Sequence, residues 1–269
     1  MQEIEILPVK SAKDKIHQPL LCEEGWLPKL NTTSIICGQT ASGKTVLLHN
    51  ILTRFLKRCF DKIYIISPTA DLDSIQQKLG IPACRVITDL EGDAPKALDL
   101  IMAHQKKEIQ KNGPDGSDMI CILFDDIVGH SRFLSSKQLT NVAIKARHYN
   151  ITAFLLTQYY KLLPKKIRLQ CNFLCMFACS NTEMQMLHEE FSPPGVTKKG
   201  FQRLIDDVLQ EKKYNFLVIN RTQPWETRFR KNLNNIIDLE QYKTLKKIKE
   251  EEEESAPMDV VTQDGSLLA

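Results

Sequence analysis

The sequence predicts an α/β fold: a largely parallel central sheet with helices on both faces, ending in a C-terminal β-hairpin. Three observations predict it. The β-branched run Thr33–Cys37 leads into the glycine-bounded segment GQTASGKT at 38–45, and a helical stripe follows at Val46, Leu47, Leu48, Ile51, Leu52, Phe55, Leu56 and Cys59. A second apolar run, Met119–Ile127 (MICILFDDI), is closed by two adjacent carboxylates. Strand-like and helix-like segments alternate along the chain, as they do where crossover helices cover a parallel sheet.

In chain order, residues 1–30 contain three prolines and read as a lead-in packed on the domain, with Pro19–Trp26 placed over a nucleotide base. Residues 31–249 form the main domain. After the first long helix comes the strand Lys62–Ser67, a short helix over Asp73–Leu79 and a short extra strand at Cys84–Thr88. Pro95–Lys111 has helical spacing, and NGPDGSD at 112–118 is a loop. Ser135–Tyr149 is a helix, Ile151–Thr157 a buried strand ending at Gln158, and Asn172–Ser180 the next strand. Helices over Glu183–Glu190 and Lys198–Gln210 are separated by SPPG, and Tyr214–Asn220 with Thr227–Arg230 form a hairpin through RTQPWE. Asn235–Lys249 reads as helical, and 250–269 as an acidic tail too poor in apolar residues to order itself.

The segment GQTASGKT is the G-x-x-x-x-G-K-[ST] pattern of a phosphate-binding loop. Gly38 and Gly43 let the backbone turn tightly, so the N–H groups of Gly38, Gln39, Thr40, Ala41, Ser42, Gly43, Lys44 and Thr45 can converge on an anion, aided by the following helix terminus. Lys44 then meets the β- and γ-phosphates of ATP, and the Thr45 hydroxyl ligates Mg²⁺. In an open α/β sheet, ligands lie at the carboxyl ends of the strands. Asp125 and Asp126 project there, as in a Walker B element: Asp125 is assigned to Mg²⁺ and Asp126 to orienting and deprotonating the attacking water. Gln158, at the end of the following strand, is placed to touch the γ-phosphate as a sensor.

Of 269 residues, 42% are apolar, enough for a sizeable core. The formal charge of +3 is unevenly distributed: Glu250–Ala269 holds five Glu and two Asp with no Lys or Arg, leaving +10 on residues 1–249. A basic body fits a polyanionic partner such as nucleic acid. The eight cysteines form no C-x-x-C pair, and Cys171, Cys175 and Cys179 are expected to share one strand face as packed small hydrophobes rather than to bind metal. No secretory signal opens the chain and no run approaches the ~18 apolar residues of a membrane span.

Taken together, GQTASGKT at 38–45, ILFDDI at 122–127, ARHYNITAFLLTQ at 146–158 and LPKKIR at 163–168 resemble the poxvirus-type genome-packaging ATPases of large eukaryotic DNA viruses and their smaller relatives. These belong to the FtsK/HerA superfamily within the additional-strand, catalytic-acid class of P-loop NTPases. The resemblance spans about residues 25–235. It implies a homo-oligomeric ring that threads double-stranded DNA into a preformed capsid, with capsid or portal vertex proteins as partners. It also implies a site of action in the virion or where virus assembles, in cytoplasm or nucleus. In such rings an arginine from one subunit completes its neighbour's site; Arg147 and Arg168 both stand in matching segments, and the choice between them stays open. Many members of the wider superfamily carry Glu where this chain has Asp126, so the attacking water must sit closer here.

The leading expectation is therefore an ATP-driven double-stranded DNA translocase, with Lys165, Lys166, Lys198 and Lys199 gripping phosphates without reading bases. The alternative is a nucleotide-gated capsid assembly or scaffold factor without motor activity. A small-molecule kinase fits less well, since no arginine-rich lid follows the second motif, and no N-K-x-D signature supports a GTPase.

Overall fold

In the computed structural model, residues 18–70 and 74–243 are described. The single-turn helix α1 (Leu20–Glu23) precedes β1 (Thr33–Cys37), and α2 (Lys44–Asn50) runs directly into a π-helical turn at Ile51–Phe55. Next come β2 (Lys62–Ile66), α3 (Ser74–Leu79), β3 (Val86–Ile87), α4 (Asp93–Asn112) and β4 (Ile120–Phe124). The chain continues through α5 (Ser131–Leu134), α6 (Lys137–Lys145), β5 (Ile151–Thr157), α7 (Lys165–Arg168) and β6 (Cys171–Met176). Helices α8 (Asn181–Phe191) and α9 (Lys198–Leu209) lead to β7 (Leu217–Asn220), α10 (Trp225–Arg228), β8 (Phe229–Lys231) and β9 (Asn235–Ile236).

The nine strands form one sheet in the order β3-β2-β4-β5-β1-β6-β7-β8-β9. Pairings from β3 to β6 are parallel and those from β6 to β9 antiparallel. The predicted α/β class is thus the observed one. Strands β1, β4 and β5 are buried along their whole length, which explains their continuous apolar runs: both faces are covered. One face carries Ile35, Phe124, Leu155 and Leu174 against α4, α6, α8 and α9; the other carries Ile36, Leu123, Phe154 and Phe173 against α1 and α2. Each fully buried Leu or Ile in these layers contributes about 1.5–3 kcal/mol. Gln105, buried on α4, donates to the carbonyls of Asp118 and Tyr149, both at 2.8 Å, and so pins α4 to the segments entering β4 and β5.

Several local expectations change. The helix predicted over Ser135–Tyr149 is observed with shorter bounds: Ser136, whose hydroxyl accepts from Leu139 N at 3.2 Å, caps α6, and a 3₁₀ turn at Ala146–His148 closes it. Cys171 and Cys175 do not share a face. The register shifts between Thr33 and Ser34 opposite Cys171 and Phe173, so Asn172 is an extra residue, and the two thiols join opposite cores. Asn235 does not start a helix: Asn232 takes a left-handed φ of 56°, reverses the chain, and lets Asn235–Ile236 pair with β8. The expected C-terminal hairpin is present as β7 and β8, with the single turn α10 in its connection, and β9 extends it into a three-strand meander. Residues 244–249 of the expected helix, and the acidic tail, lie outside the described residues.

Candidate functional site

The site lies where the carboxyl ends of β4, β5 and β1 meet. In sequence, Lys62–Ser67 separates the phosphate-loop strand from the DD strand; in space, it is β5 that stands between them. Strand ends are tied across this edge. Gly38 N donates to Thr157 O at 3.1 Å, Asp125 N to Ile66 O at 3.1 Å, and Phe177 N to Cys37 O at 2.8 Å. Gln158 therefore follows β5 at the gap between the loop and the two aspartates, and it is half-buried.

The loop's glycines have specific reasons. A Cβ on Gly38 would lie 2.6 Å from Ser42 Oγ and 2.7 Å from Phe177 Cβ, so only a bare backbone passes. Gly43 has φ 104°, which the turn into α2 requires, and Ala41 also adopts a left-handed φ of 61°. Lys44 Nζ donates to the loop's own carbonyls, Gly38 O at 2.7 Å and Gln39 O at 2.9 Å. Burial lowers the Lys44 ammonium below its ordinary pKa, while Asp125, Cys37 and, more weakly, Asp126 draw it back up. Lys44 and the two aspartates thus lie near enough for the carboxylates to act on the ammonium. Ser42 Oγ is buried with no hydrogen-bond partner among the described residues, an orphan that an incoming anion's oxygen would satisfy.

Asp125 and Asp126 are half-buried at the exit of β4. Asp126 holds a left-handed backbone, φ 50° and ψ 32°, an uncommon conformation for a residue other than glycine. Thr45 is exposed at the loop's end. The Thr45 hydroxyl and the Asp125 carboxylate are oxygen donors of the kind that Mg²⁺ takes beside water and phosphate oxygens.

The two arginines occupy very different places. Arg147 is exposed in the turn before β5, at the amino end of the sheet, with Nε donating to His148 Nε2 at 3.4 Å. Arg168 is buried: Nη2 lies 2.7 Å from Glu190 Oε1, Nη1 donates to Leu163 O at 2.6 Å, and its guanidinium carbon stands 5.3 Å from the Tyr160 ring centre. The structure does not bring Arg168 to an open surface. Lys161, Lys165 and Lys166, on the segment after Gln158, and Lys198 and Lys199, at the start of α9, are exposed.

Beside the loop opens a cleft of about 750 Å³, lined along one wall by Ser42–Leu47, Asn50, Arg54 and Phe55, and along the other by Phe177, Tyr214, Phe216 and Asn232–Asn234. Sequence reasoning missed this second wall, because its residues come from three separate segments and carry no motif. The expected base cover, Pro19–Trp26, is elsewhere. Asn220 Nδ2 donates to Gly25 O and Arg230 Nη2 to Glu24 O, both at 3.0 Å. Asn220 ends β7, and Arg230 stands opposite Val218 in the middle of the β7–β8 pairing. Residues 19–26 therefore pack along this strand pair and contribute nothing to the lining of the cleft.

Among the described residues, no helix is long and apolar enough to cross a membrane. No individually curated protein matches the chain. Among solved structures, the DNA-packaging ATPase B204 from Sulfolobus Turreted Icosahedral Virus is similar at 16% identity and TM-score 0.52, covering 72% of this chain and 94% of that one. The genome packaging NTPase B204 from Sulfolobus turreted icosahedral virus 2, in complex with AMPPCP, is similar at 15% identity and TM-score 0.52, with 71% and 92% covered. The pCW3 conjugation coupling protein TcpA, with ATPgS, is similar at 16% identity and TM-score 0.51, with 70% and 57% covered. At these identities the likeness is one of fold, the P-loop ATPase fold. A family model described as "Poxvirus A32 protein" matches residues 27–247, most of the chain, and the chain belongs to that family.

Proposed function

We propose that this chain is an ATP-hydrolysing translocase of double-stranded DNA that packages a viral genome into a preformed capsid. The observation that carries the reading is the placement of Lys44, Gln158 and the Asp125–Asp126 pair at the carboxyl ends of three adjacent strands, with the electrostatic pull of both aspartates felt at Lys44. In this reading Lys44 leaves the carbonyls of Gly38 and Gln39 and turns to the β- and γ-phosphates of ATP. The N–H groups of residues 38–45 and the Ser42 hydroxyl surround the phosphates. Thr45 and Asp125 hold Mg²⁺, which supplies charge neutralisation on the phosphate oxygens when bound. Asp126 orients the attacking water and takes its proton. Gln158, on the strand between the two motifs, contacts the γ-phosphate and passes its loss to the segment that carries Lys161, Lys165 and Lys166.

For the cation supplied by a neighbouring subunit we favour Arg147, which is exposed at the amino edge, over Arg168, whose donors are engaged inside the chain. Carboxyl edge facing amino edge is a head-to-tail contact, which closes into a ring when the rotation allows. The exposed lysines then contact DNA phosphates in the channel, and the ring works in the virion or at the site of virus assembly against a capsid or portal vertex. Family membership and the fold shared with DNA-packaging ATPases support this reading. The test is ATP hydrolysis by the purified chain with and without double-stranded DNA. Stimulation by DNA, lost in Lys44→Ala, is the expected result; hydrolysis indifferent to DNA at every salt concentration would overturn the motor.

A further inference from the structure

The cleft beside the phosphate loop is larger than phosphate binding needs, and its far wall is aromatic. A Cβ built on Gly43 would lie 3.4 Å from Phe177 Cε1 and 3.7 Å from Tyr214 Cδ1, so both rings stand directly against the loop. Phe177 is backed by Phe216, with ring centres 4.8 Å apart. Tyr214 is 60% exposed and holds φ 96°, a conformation that tyrosine rarely adopts. Strain of that kind persists where the surroundings impose it, and it gathers at ligand clamps. The ammonium of Lys213 lies 5.2 Å from the Tyr214 ring centre. On the near wall, the π-helical turn at Ile51–Phe55 widens the helix where Arg54 and Phe55 face the cleft.

Asn50 on the near wall and Asn232 on the far wall are engaged within the chain. Asn50 Nδ2 donates to Val46 O at 2.8 Å, and Asn50 Oδ1 accepts from Arg54 Nη1 at 3.3 Å. Asn232 Oδ1 accepts from Phe216 N at 3.2 Å, and its Nδ2 donates to Asn215 Oδ1 at 3.2 Å. Beyond Ser42, Lys44 and Thr45 on the loop and Asn234 on the far wall, what the cleft offers a ligand is π-surface, which every nucleobase satisfies alike.

We propose that this cleft seats the base of the bound triphosphate by stacking against Phe177 and Tyr214, with little reading of its hydrogen-bonding edge. The proposal rests on the nucleotide-binding reading above and specifies how the same site selects its substrate. A site that pairs every polar edge rejects the wrong base strongly, whereas stacking surfaces do not. ATP and GTP should therefore bind within about a hundredfold of each other.

Calorimetric titrations of ATP, GTP and inorganic tripolyphosphate, each with Mg²⁺, into the full chain and its Tyr214→Ala and Tyr214→Trp variants test this. Because Tyr214 is mostly exposed, neither substitution disturbs the core. Tyr214→Ala should weaken both nucleotides by about tenfold and leave tripolyphosphate unchanged, while Tyr214→Trp keeps wild-type affinity. ATP bound equally well by wild type and Tyr214→Ala, or a preference between ATP and GTP beyond about a hundredfold, would overturn the proposal. ATP binding no tighter than tripolyphosphate removes the base cleft alone. Failure of both to bind wild type removes the nucleotide reading and this proposal with it.

Discussion

Two polar clusters in this domain pair a basic side chain with carboxylates, and the fold treats them oppositely. Around Glu190, both carboxylate oxygens are occupied: Arg168 Nε and Nη2 donate to Oε1 at 3.1 and 2.7 Å, and Tyr160 Oη donates to Oε2 at 2.6 Å. Both charged side chains there are only 8% exposed. Around Lys44 the arrangement is open. The ammonium rests on two backbone carbonyls rather than on a carboxylate, Ser42 Oγ has no partner among the described residues, and the nearby aspartates are half-buried. A saturated buried pair holds structure together, because removing either member strands the other. In the reading proposed above, the open cluster takes up a ligand, which would give Ser42 Oγ its partner. Both motif-like segments carry a basic residue, and only the hydrogen-bond inventory separates their roles.

Substitution should therefore separate the clusters by what fails. Asp126→Asn is expected to lower the rate of ATP hydrolysis by about 10²–10⁴-fold while the melting temperature stays near wild type. Arg168→Ala should do the reverse, destabilising the fold by about 3–5 kcal/mol because Glu190 is left buried and unpaired. Replacing the pair together, Arg168→Met with Glu190→Leu, should recover a large part of that loss, which denaturant titration would show. A stable Arg168→Ala variant with specific loss of hydrolysis would erase the contrast and return Arg168 to the catalytic site. Tyr160→Phe is the milder form: losing one hydrogen bond to a buried carboxylate costs about 1.5–3 kcal/mol, measured in the same way.

How much of this was legible beforehand depends on how local each feature is. The phosphate loop is eight consecutive residues whose geometry follows from two glycines, and β4 declares itself by an unbroken apolar run ending in DD. The parallel class follows from the same runs. What escaped is non-local or turns on a single residue. No pattern within Ile151–Thr157 says that it inserts between β4 and β1; that is decided by pairing across more than a hundred residues. One extra residue at Asn172 sends Cys171 and Cys175 to opposite faces, and one left-handed asparagine, Asn232, turns an expected helix into a strand. The aromatic wall gathers Phe177, Tyr214, Phe216 and Leu233 from separate segments, each unremarked in its own neighbourhood. Arg168 shows the converse: a basic run, KLLPKKIR, conceals one arginine committed to the core among exposed lysines.

The smallest expected effect concerns Lys44 and pH. Burial depresses its pKa in the folded chain, and Asp125, Cys37 and Asp126 oppose that only in part. An unfolded lysine titrates near 10.5. Between the depressed folded value and the unfolded one, the unfolded chain binds more protons, so folding stability rises with pH across that window. Below that window the full cost of holding the charged ammonium is present. Lys44→Met carries no such charge. Its melting temperature, relative to wild type, should be highest at neutral pH and should lose that advantage as pH climbs toward 10. Added tripolyphosphate at neutral pH should raise the melting temperature of wild type alone, because it offers the ammonium a charged partner in place of two carbonyls. A difference between the two proteins that stays constant with pH would mean that Lys44 is as settled in its loop as Arg168 is against Glu190.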